Sequence, residues 1–217
     1  MLSEYISIWD KLTSEDQKIL QNSSSKRHLR KGDVVHKGES DCVGLLVVCN
    51  GQLRAYINSD DGREVTIYRL FERDICLLSA SCMMVSIQFE VTIEAEKDSD
   101  IYVIPSPIYQ KMMENSAPLA NFTIQLISTR FTAVMWFVAQ IMWKSFDKRL
   151  SAFLIEECKL EKSNVLLTTH EKIALHLGTA REVVTRMLKY FQDEGFVVLS
   201  RGSIEIVDSN GLAAIYE

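Results

Sequence analysis

Apolar residues recur at two different periods along the chain, and the change of period separates helical from extended segments. Residues 1–25 are polar with apolar positions at helical spacing. From residue 29 to residue 104, short apolar runs alternate with turns that contain glycine, which predicts a β-roll or β-barrel. The clearest run, residues 85–95, strictly alternates apolar and polar side chains, as a strand with one buried face does. The predicted strands are 34–35, 43–49, 53–57, 64–70, 85–95 and 101–104.

A long apolar helix is predicted from Pro118 to about Trp143. Its apolar residues alternate at intervals of three and four, the pattern of a coiled-coil seam; they are Ile124, Ile127, Phe131, Val134, Val138 and Ile141. Further apolar residues lie off the seam, so we expect a second copy to cover the seam and the β-roll to cover a flank. Two alternatives stay open. One is a core helix of one subunit. The other is a membrane span, but the uninterrupted apolar run is short for a span and Arg130 interrupts any extension.

The C-terminal part predicts a winged helix-turn-helix, after a further helix over residues 146–158. Thr168 or Thr169 can cap a first helix, which Gly178 ends. A second helix follows with a buried stripe at helical spacing, Gly195 ends it, and two short strands flank a turn at residues 201–202. The chain is therefore predicted to be α+β, with a β-roll domain (1–115), a dimerisation helix (116–144) and a winged helix-turn-helix (145–217).

The second helix of this motif has a polar outer face, which carries Thr179, Arg181, Glu182, Thr185, Arg186 and Lys189. In a major groove, arginine can bind guanine with two hydrogen bonds and glutamate can accept one from cytosine. Glu182 and Arg186 are four residues apart, so they can also brace each other on a solvated helix. A helix-turn-helix also occurs as a structural corner, so the spacing alone leaves both roles open.

Residues 169–206 resemble the DNA-binding domain of the Crp/Fnr family, the relatives of the cyclic-AMP receptor protein and the fumarate–nitrate reduction regulator. The stretch Arg-Glu-Val-Val-Thr-Arg at 181–186 matches the family's recognition helix, Arg-Glu-x-x-Ser/Gly-Arg. The resemblance implies base contacts from Arg181, Glu182 and Arg186, a base or phosphate contact from Thr185, and phosphate contacts near Thr169 and His170. The expected DNA-contacting set is Thr169, His170, Thr179, Arg181, Glu182, Thr185, Arg186, Lys189 and Arg201.

The resemblance extends more loosely over the whole chain. It implies a double-stranded β-helix, a jelly roll like that of cyclic-nucleotide-binding domains, in the N-terminal half. It also implies a homodimer paired through the long helix, with double-stranded DNA and RNA polymerase as partners. Two-fold symmetry would place the recognition helices on a near-palindromic operator with half-sites ~34 Å apart.

The family's cyclic-nucleotide pocket needs a Gly-Glu pair and an arginine, and this chain has neither at the corresponding positions. Residues 73–84 contain no Gly-Glu, and Gln88 and Glu90 lie where the arginine would fall. A phosphate beside a carboxylate without an arginine is electrostatically poor, so we expect no binding of cyclic AMP in that mode. The family's iron–sulfur cluster would need closely spaced N-terminal cysteines, and none precedes Cys42.

The run from Cys76 to Cys82 is a candidate effector pocket, for which the expected lining is Cys76, Ser79, Ser81, Cys82 and Gln88. A thiol there could be redox-active or bind haem iron. His28 and His36 are further candidate metal or haem ligands, although isolated histidines near turns are usually solvated. The alternative is that the small residues only pack and that a buried cysteine acts as a small hydrophobe.

Composition narrows the class of protein. The chain has 217 residues, 47% of them apolar, which fits a globular protein. Its net charge of −5 excludes a basic nucleic-acid coat protein. A DNA-binding face must therefore be local. Its five cysteines lack CxxC spacing and follow no signal peptide, which indicates free thiols in a reducing cytoplasm and no zinc site. No phosphate-binding loop, metal-ligand cluster or nucleophile motif suggests an enzyme.

The leading hypothesis is a sequence-specific, homodimeric transcriptional regulator that responds to a small molecule or a redox signal. The alternative is a ligand-sensing protein whose winged helix contacts a protein partner and not DNA.

Overall fold

The structure is a computed structural model that describes residues 1–38, 43–59, 64–83 and 90–216, with the backbone alone for residues 81–83. The α-helices are α1 (Ser14–Ser23), α2 (Ser106–Asn115), α3 (Ala117–Trp143), α4 (Phe146–Glu161), α5 (His170–Leu177), α6 (Arg181–Asp193) and α7 (Ser209–Tyr216). The strands are β1 (Ser25–Leu29), β2 (Val34–Lys37), β3 (Leu45–Asn50), β4 (Leu53–Asn58), β5 (Glu64–Leu70), β6 (Ile75–Cys76), β7 (Thr92–Ala95), β8 (Ser99–Ile104), β9 (Val165–Leu166), β10 (Val197–Ser200) and β11 (Ser203–Ile206). Short 3-10 helices cover Leu2–Glu4, Trp9–Lys11 and Leu78–Met83.

Contacts divide the chain into two compact units. The first consists of Met1–Asn58 and Ile67–Met135, and the second of Ser59–Thr66 and Trp136–Glu217. The first unit contains the predicted β-roll and the second contains the predicted winged helix-turn-helix.

The first unit is built on two four-stranded sheets, ordered β1-β8-β3-β6 and β2-β7-β4-β5, with the first three residues of β5 counted in the second unit. Apolar side chains from both sheets form one core, for example Val48 and Ile101 from the first sheet and Leu53 and Ile93 from the second. Alternation along the strands produces this core, because successive side chains point to opposite faces of a sheet. The α+β fold class and the β-roll are confirmed.

A second core covers the other face of the β1-β8-β3-β6 sheet. It joins Val47 of β3 to Leu20 of α1, Tyr109 of α2 and Leu119 of α3, all of which are buried. The Tyr109 hydroxyl lies 2.8 Å from Oγ1 of Thr123, which ties α2 to the start of α3. The predicted flank contact between the long helix and the β-roll is therefore present at the N-terminal end of the helix.

Several elements differ from the sequence prediction. Within residues 1–25 the structure has only α1 and two 3-10 turns, and β1, which pairs with β8, was not predicted. Residues 25–28 are exposed polar side chains on an edge strand, so they give no apolar alternation. In the predicted strand 85–95, only β7 is a strand among the residues described there, and residues 84–89 lie outside them. Helices α2 and α7 and strand β9 were also not predicted.

The second unit packs α4, α5, α6 and α7 around a small sheet ordered β10-β11-β9. Its core includes Leu154 of α4, Ile173 of α5, Leu188 of α6 and Ile204 of β11, all fully or almost fully buried. The Ser151 hydroxyl donates to the carbonyl of Leu212, which ties α4 to α7. This arrangement confirms the winged helix-turn-helix.

Candidate nucleic-acid interface

Helix α5 is capped at both ends, and its C-terminal cap begins the turn to α6. Thr169, and not Thr168, caps α5, because its Oγ1 accepts a hydrogen bond from the Lys172 backbone N–H at 3.2 Å. Gly178 ends the helix with φ +62, a left-handed conformation that glycine adopts without strain. Arg149 of α4 donates from Nη1 to the carbonyl of Leu177 at 3.1 Å, which satisfies one of the carbonyls left free at the helix end.

Helix α6 divides cleanly into a buried and an exposed face. Val184, Leu188 and Phe191 are fully buried, as the apolar stripe predicted. The opposite face carries side chains that are all exposed in the structure: Arg181, Glu182, Thr185, Arg186 and Lys189. The fold therefore presents these residues outward together.

Glu182 and Arg186 do not brace each other. Among the residues that the structure describes, no ion pair or hydrogen bond joins these two side chains. A fully solvated i,i+4 pair gains only a few tenths of a kcal/mol, about 0.5 at most, so this separation costs little. Both side chains remain available to a ligand in front of α6.

His170 connects the first helix to the recognition helix. Its Nδ1 lies 2.9 Å from Oγ1 of Thr185, and the same oxygen lies 2.9 Å from the carbonyl oxygen of Arg181. Partial burial, and secondarily the positive charge of Arg181, hold the pKa of His170 below its ordinary value. The Thr185 hydroxyl, for which the resemblance implied a DNA contact, thus also forms hydrogen bonds within the helix-turn-helix.

The wing is a hairpin of β10 and β11, in which Val197 pairs with Ile206 and Ser200 with Ser203. Arg201 is exposed in its turn, as predicted. Of the other expected DNA-contacting residues, Thr169 is exposed and Thr179, in the turn between α5 and α6, is half-buried. The structure thus leaves seven of the nine expected residues exposed and His170 and Thr179 half-buried.

The predicted seam of α3 is largely open to solvent in the single chain. The exposed fractions are 60% for Ile124, 43% for Ile127, 65% for Phe131, 38% for Val138 and 46% for Ile141, while Val134 is half-buried. The seam is therefore not the core of one subunit. Near the C-terminal end of the helix, Met135, Trp136, Met142 and Trp143 are exposed as well.

By length and composition alone, α3 could also cross a membrane. This is weak evidence, because a single apolar helix of a soluble protein satisfies the same criteria.

The candidate effector region is filled with protein contacts where the structure describes it. Cys76 and Ser79 are fully buried. The Cys76 sulfur lies 3.7 Å from the Tyr68 hydroxyl, and Ser79 Oγ donates to the carbonyl of Gly44 at 2.6 Å and lies 3.2 Å from that of Cys76. The side chains of Ser81 and Cys82, and all of Gln88, lie outside the described residues. These contacts satisfy the polar atoms of Cys76 and Ser79 within the protein.

Arg130 of α3 makes a connection that sequence reasoning missed. Its Nη2 lies 3.1 Å from Oδ1 of Asp74, and its guanidinium carbon lies 4.8 Å from the ring centre of Tyr68. Burial, with the neighbouring Cys76 thiol, raises the pKa of Tyr68 well above its ordinary value. The signal was a single arginine in an otherwise uncharged helix, because such a charge needs a partner when it packs against protein.

The two histidines considered as metal or haem ligands differ in their surroundings. His28 is exposed, and its Nδ1 lies 2.9 Å from Oδ1 of Asp100, a hydrogen bond that lowers the pKa of this carboxyl group. His36 is only 2% exposed, and its Nδ1 has no hydrogen-bond partner among the described residues, so it is not solvated as expected. Cys49, Cys76 and Cys158 are free thiols. In the described parts of the chain, no three histidine, cysteine or carboxylate side chains come together as a metal site.

Two models of known families match this chain. The model of the Crp-like helix-turn-helix domain matches residues 148–215, and that of the cyclic nucleotide-binding domain matches residues 26–116. The first match covers the second unit from α4 to α7. The second covers the strands of the β-roll and α2.

Similar proteins support the same assignment. A crystal structure from Eubacterium rectale, assigned to the Crp/Fnr family of transcriptional regulators, is 55% identical over 98% of this chain and 99% of its own, with a TM-score of 0.96. The transcriptional activator FnrA of Stutzerimonas stutzeri is 25% identical over 200 residues, which are 87% of this chain and 79% of FnrA. The c-di-GMP-responsive regulator CLP of Xanthomonas campestris shares the fold, with a TM-score of 0.74 at 17% identity over 90% of this chain and all of its own. This chain therefore belongs to the Crp/Fnr family of transcriptional regulators, with that family's helix-turn-helix DNA-binding domain at its C-terminal end.

Proposed function

We propose that this regulator is a cytoplasmic homodimer that binds a near-palindromic operator and is controlled by an effector in the β-roll. The observation that carries the proposal is the exposed face of α6, where Arg181, Glu182 and Arg186 point outward while the opposite face is buried. Such a face can enter the major groove of double-stranded DNA, which is wide enough to admit an α-helix.

Each side chain of this face suits a particular contact. Arg181 and Arg186 are assigned to guanine and Glu182 to cytosine, since these pairs match in hydrogen-bonding geometry. Phosphate contacts, which fix orientation and carry no sequence information, are assigned to Thr169, His170, Thr179, Lys189 and Arg201. Thr185 is assigned a base or phosphate contact.

The dimer is assigned to the α3 seam of Ile124, Ile127, Phe131, Val134, Val138 and Ile141. An exposed apolar stripe of this length is stabilised when a second copy covers it, because burial removes apolar area from water. A two-fold axis along paired helices would present two recognition helices to half-sites ~34 Å apart. We take this pairing, and not a membrane, as the role of α3.

Effector control is assigned to the β-roll beside α3. The contact chain from Cys76 through Tyr68 to Arg130 links the roll interior to the helix that carries the seam. The proposed effector is a small molecule or a redox signal that acts at Cys76, Ser79, Ser81, Cys82 and Gln88. By stabilising the DNA-competent and DNA-incompetent conformations unequally, it would shift the population of dimers that can bind DNA. RNA polymerase is the further partner that the role of transcriptional regulator implies.

Selection from a random duplex library with the full chain, purified under native conditions so that bound effector is retained, tests the proposal. We expect enrichment of a near-palindrome with two half-sites about one helical turn apart. The variant Glu182→Gln should recover a site altered at one position in each half-site, because an amide both donates and accepts and matches adenine, whereas the carboxylate only accepts and matches cytosine. If no sequence is enriched and no duplex is bound, the proposal is wrong and the protein-partner alternative replaces it.

A further inference from the structure

The contacts of His170 determine which of its nitrogens carries a proton. The Thr185 hydroxyl has one hydrogen, and its oxygen lies 2.9 Å from both the Arg181 carbonyl and His170 Nδ1. A carbonyl only accepts, so the hydroxyl donates to Arg181. Both distances are hydrogen bonds at the same time only if His170 Nδ1 is itself protonated and donates to Thr185. The neutral imidazole then has its proton on Nδ1 and a lone pair on Nε2.

The surroundings of His170 disfavour a second proton in the free protein. Burial lowers the pKa of His170, and the positive charge of Arg181 on α6 lowers it further. On α5 itself, its charged neighbours are Glu171 and Lys172, both exposed and opposite in sign. The other charged side chains on the outer face of α6 are Glu182, Arg186 and Lys189. In the described chain none of these forms an ion pair with His170.

We propose that His170 binds a DNA phosphate only as the imidazolium, so that each half-site takes up one proton when it is bound. The inference rests on the proposed function, which places a phosphate at the start of α5. A neutral His170 with its proton on Nδ1 would turn the Nε2 lone pair toward a phosphate oxygen, and two acceptors repel. A proton on Nε2 converts this contact into a charge-assisted hydrogen bond, which is among the stronger kinds in proteins.

The direction of the pH effect follows from the two pKa values. Burial and Arg181 hold the pKa of His170 down in the free protein, and a phosphate anion at Nε2 raises it in the complex. Between these values binding takes up a proton, so affinity increases as the pH falls and decreases as the pH rises. Full linkage corresponds to about tenfold in affinity per pH unit for each half-site.

The test measures fluorescence anisotropy of the selected operator duplex from about pH 5 to 8 at constant ionic strength. We expect the wild-type affinity to fall with rising pH. His170→Arg should bind tightly throughout and lose this dependence, because its charge is permanent. His170→Gln should bind weakly throughout. His176→Gln is the matched control on the same helix, since His176 contacts Thr66 and Phe153, and it should keep the wild-type dependence.

A second measurement does not depend on DNA. Nitrogen-15 chemical shifts of the imidazole, assigned with the His170→Arg variant, report the neutral tautomer of the free protein. We expect the proton on Nδ1, and a proton on Nε2 overturns the inference. Operator binding that is independent of pH, or a wild-type pH dependence that persists in His170→Arg, overturns it as well. Absence of binding to any duplex at any pH overturns the proposed function and the inference together.

Discussion

At the scale of single residues, the proposed DNA-contacting surface includes side chains that have no internal partner among the described residues. Arg186 is exposed on α6, and within the described chain it has no ion pair or hydrogen bond. The guanidinium group of Arg186 therefore gives up no internal ion pair or hydrogen bond of the described chain when it binds a base edge. The same exposure means that the residue contributes little to folding, so its effect on binding can be measured separately.

Replacing Arg186 with alanine should reduce operator affinity by about 1–3 kcal/mol, because a bidentate contact to guanine is lost. The free energy of unfolding should stay within about 0.5 kcal/mol of the wild type, as for exposed substitutions in general. Anisotropy titration and urea unfolding measure the two quantities. Arg27→Ala removes another exposed cation, from β1, and serves as the control. An equal loss of affinity in both variants would argue against base recognition by Arg186.

Residue contacts were predicted well only where they are local. Thr169 and Gly178 were correctly predicted as the caps of α5, because capping depends on residues that are close in the sequence. Arg130 and Asp74 are 56 residues apart, and no pattern along the chain reports such a pair. His36 looked like a solvated residue beside a turn, yet it is buried, because the position of β2 in its sheet determines its environment.

At the scale of elements, the turn between α5 and α6 combines backbone conformation with a close side-chain contact. Gly178 has φ +62, so an alanine there would be strained. Its Cβ would also lie 2.7 Å from Cγ2 of Val65. Both Gly178 and Val65 belong to the second unit. A side chain at residue 178 would therefore need a strained backbone and a shift of Val65.

The substitution Gly178→Ala should lower the free energy of unfolding by about 1–2 kcal/mol from the left-handed backbone alone, and by more because of the contact. Urea denaturation of the full chain measures it. Gly195→Ala is the matched control, because Gly195 has φ +80 but no atom within 4 Å of the position that a Cβ would take. The difference between the variants isolates the contact with Val65. Equal losses would show that only the backbone conformation matters.

Helix α3 gives a second test at this scale. Phe131→Glu places a carboxylate in the proposed seam, where pairing would bury it without a partner. Such a charge costs about 3–5 kcal/mol, so the dimer should dissociate at least about a hundredfold more readily. Sedimentation velocity measures the association state. Thr132→Glu introduces the same charge at the neighbouring exposed residue, off the seam, and should leave pairing intact. Dimers of unchanged stability in Phe131→Glu would place the interface elsewhere.

A clear apolar period predicted two helices correctly, but the alternating run 85–95 is a strand only at Thr92–Ala95 among its described residues. The long helix and the stripe of α6 follow directly from spacing. Strand β1 has four exposed polar residues and is held by backbone pairing with β8, so its side chains carry no signal. Strand β9 has two residues, too few for any period to show.

At the scale of the whole molecule, the match to a cyclic nucleotide-binding domain describes a fold and does not specify a ligand. The roll interior of this chain already holds Tyr68, which is nearly buried and contacts Cys76. Glu90, where the family's arginine would fall, is exposed. The sequence therefore still predicts that this cyclic nucleotide-binding fold does not bind cyclic AMP in the family's usual mode.

Cyclic AMP should consequently leave the melting temperature of the protein unchanged. A ligand present at a hundred times its dissociation constant would stabilise the folded state by about 2.7 kcal/mol, which a thermal-shift titration detects easily. Adenosine monophosphate serves as the control for non-specific effects of the nucleotide. A saturable increase with cyclic AMP and none with the control would contradict the expectation.

The open seam of α3 also has a consequence for how the cell sets the output of this regulator. In the proposed dimer only paired chains can occupy an operator, and the amount of pairs depends on the square of the amount of free chains. When free chains predominate, halving their number lowers the pairs about fourfold. Gene dosage and protein turnover then act as inputs beside the effector, and promoter output follows copy number more steeply than a monomeric repressor or activator would allow.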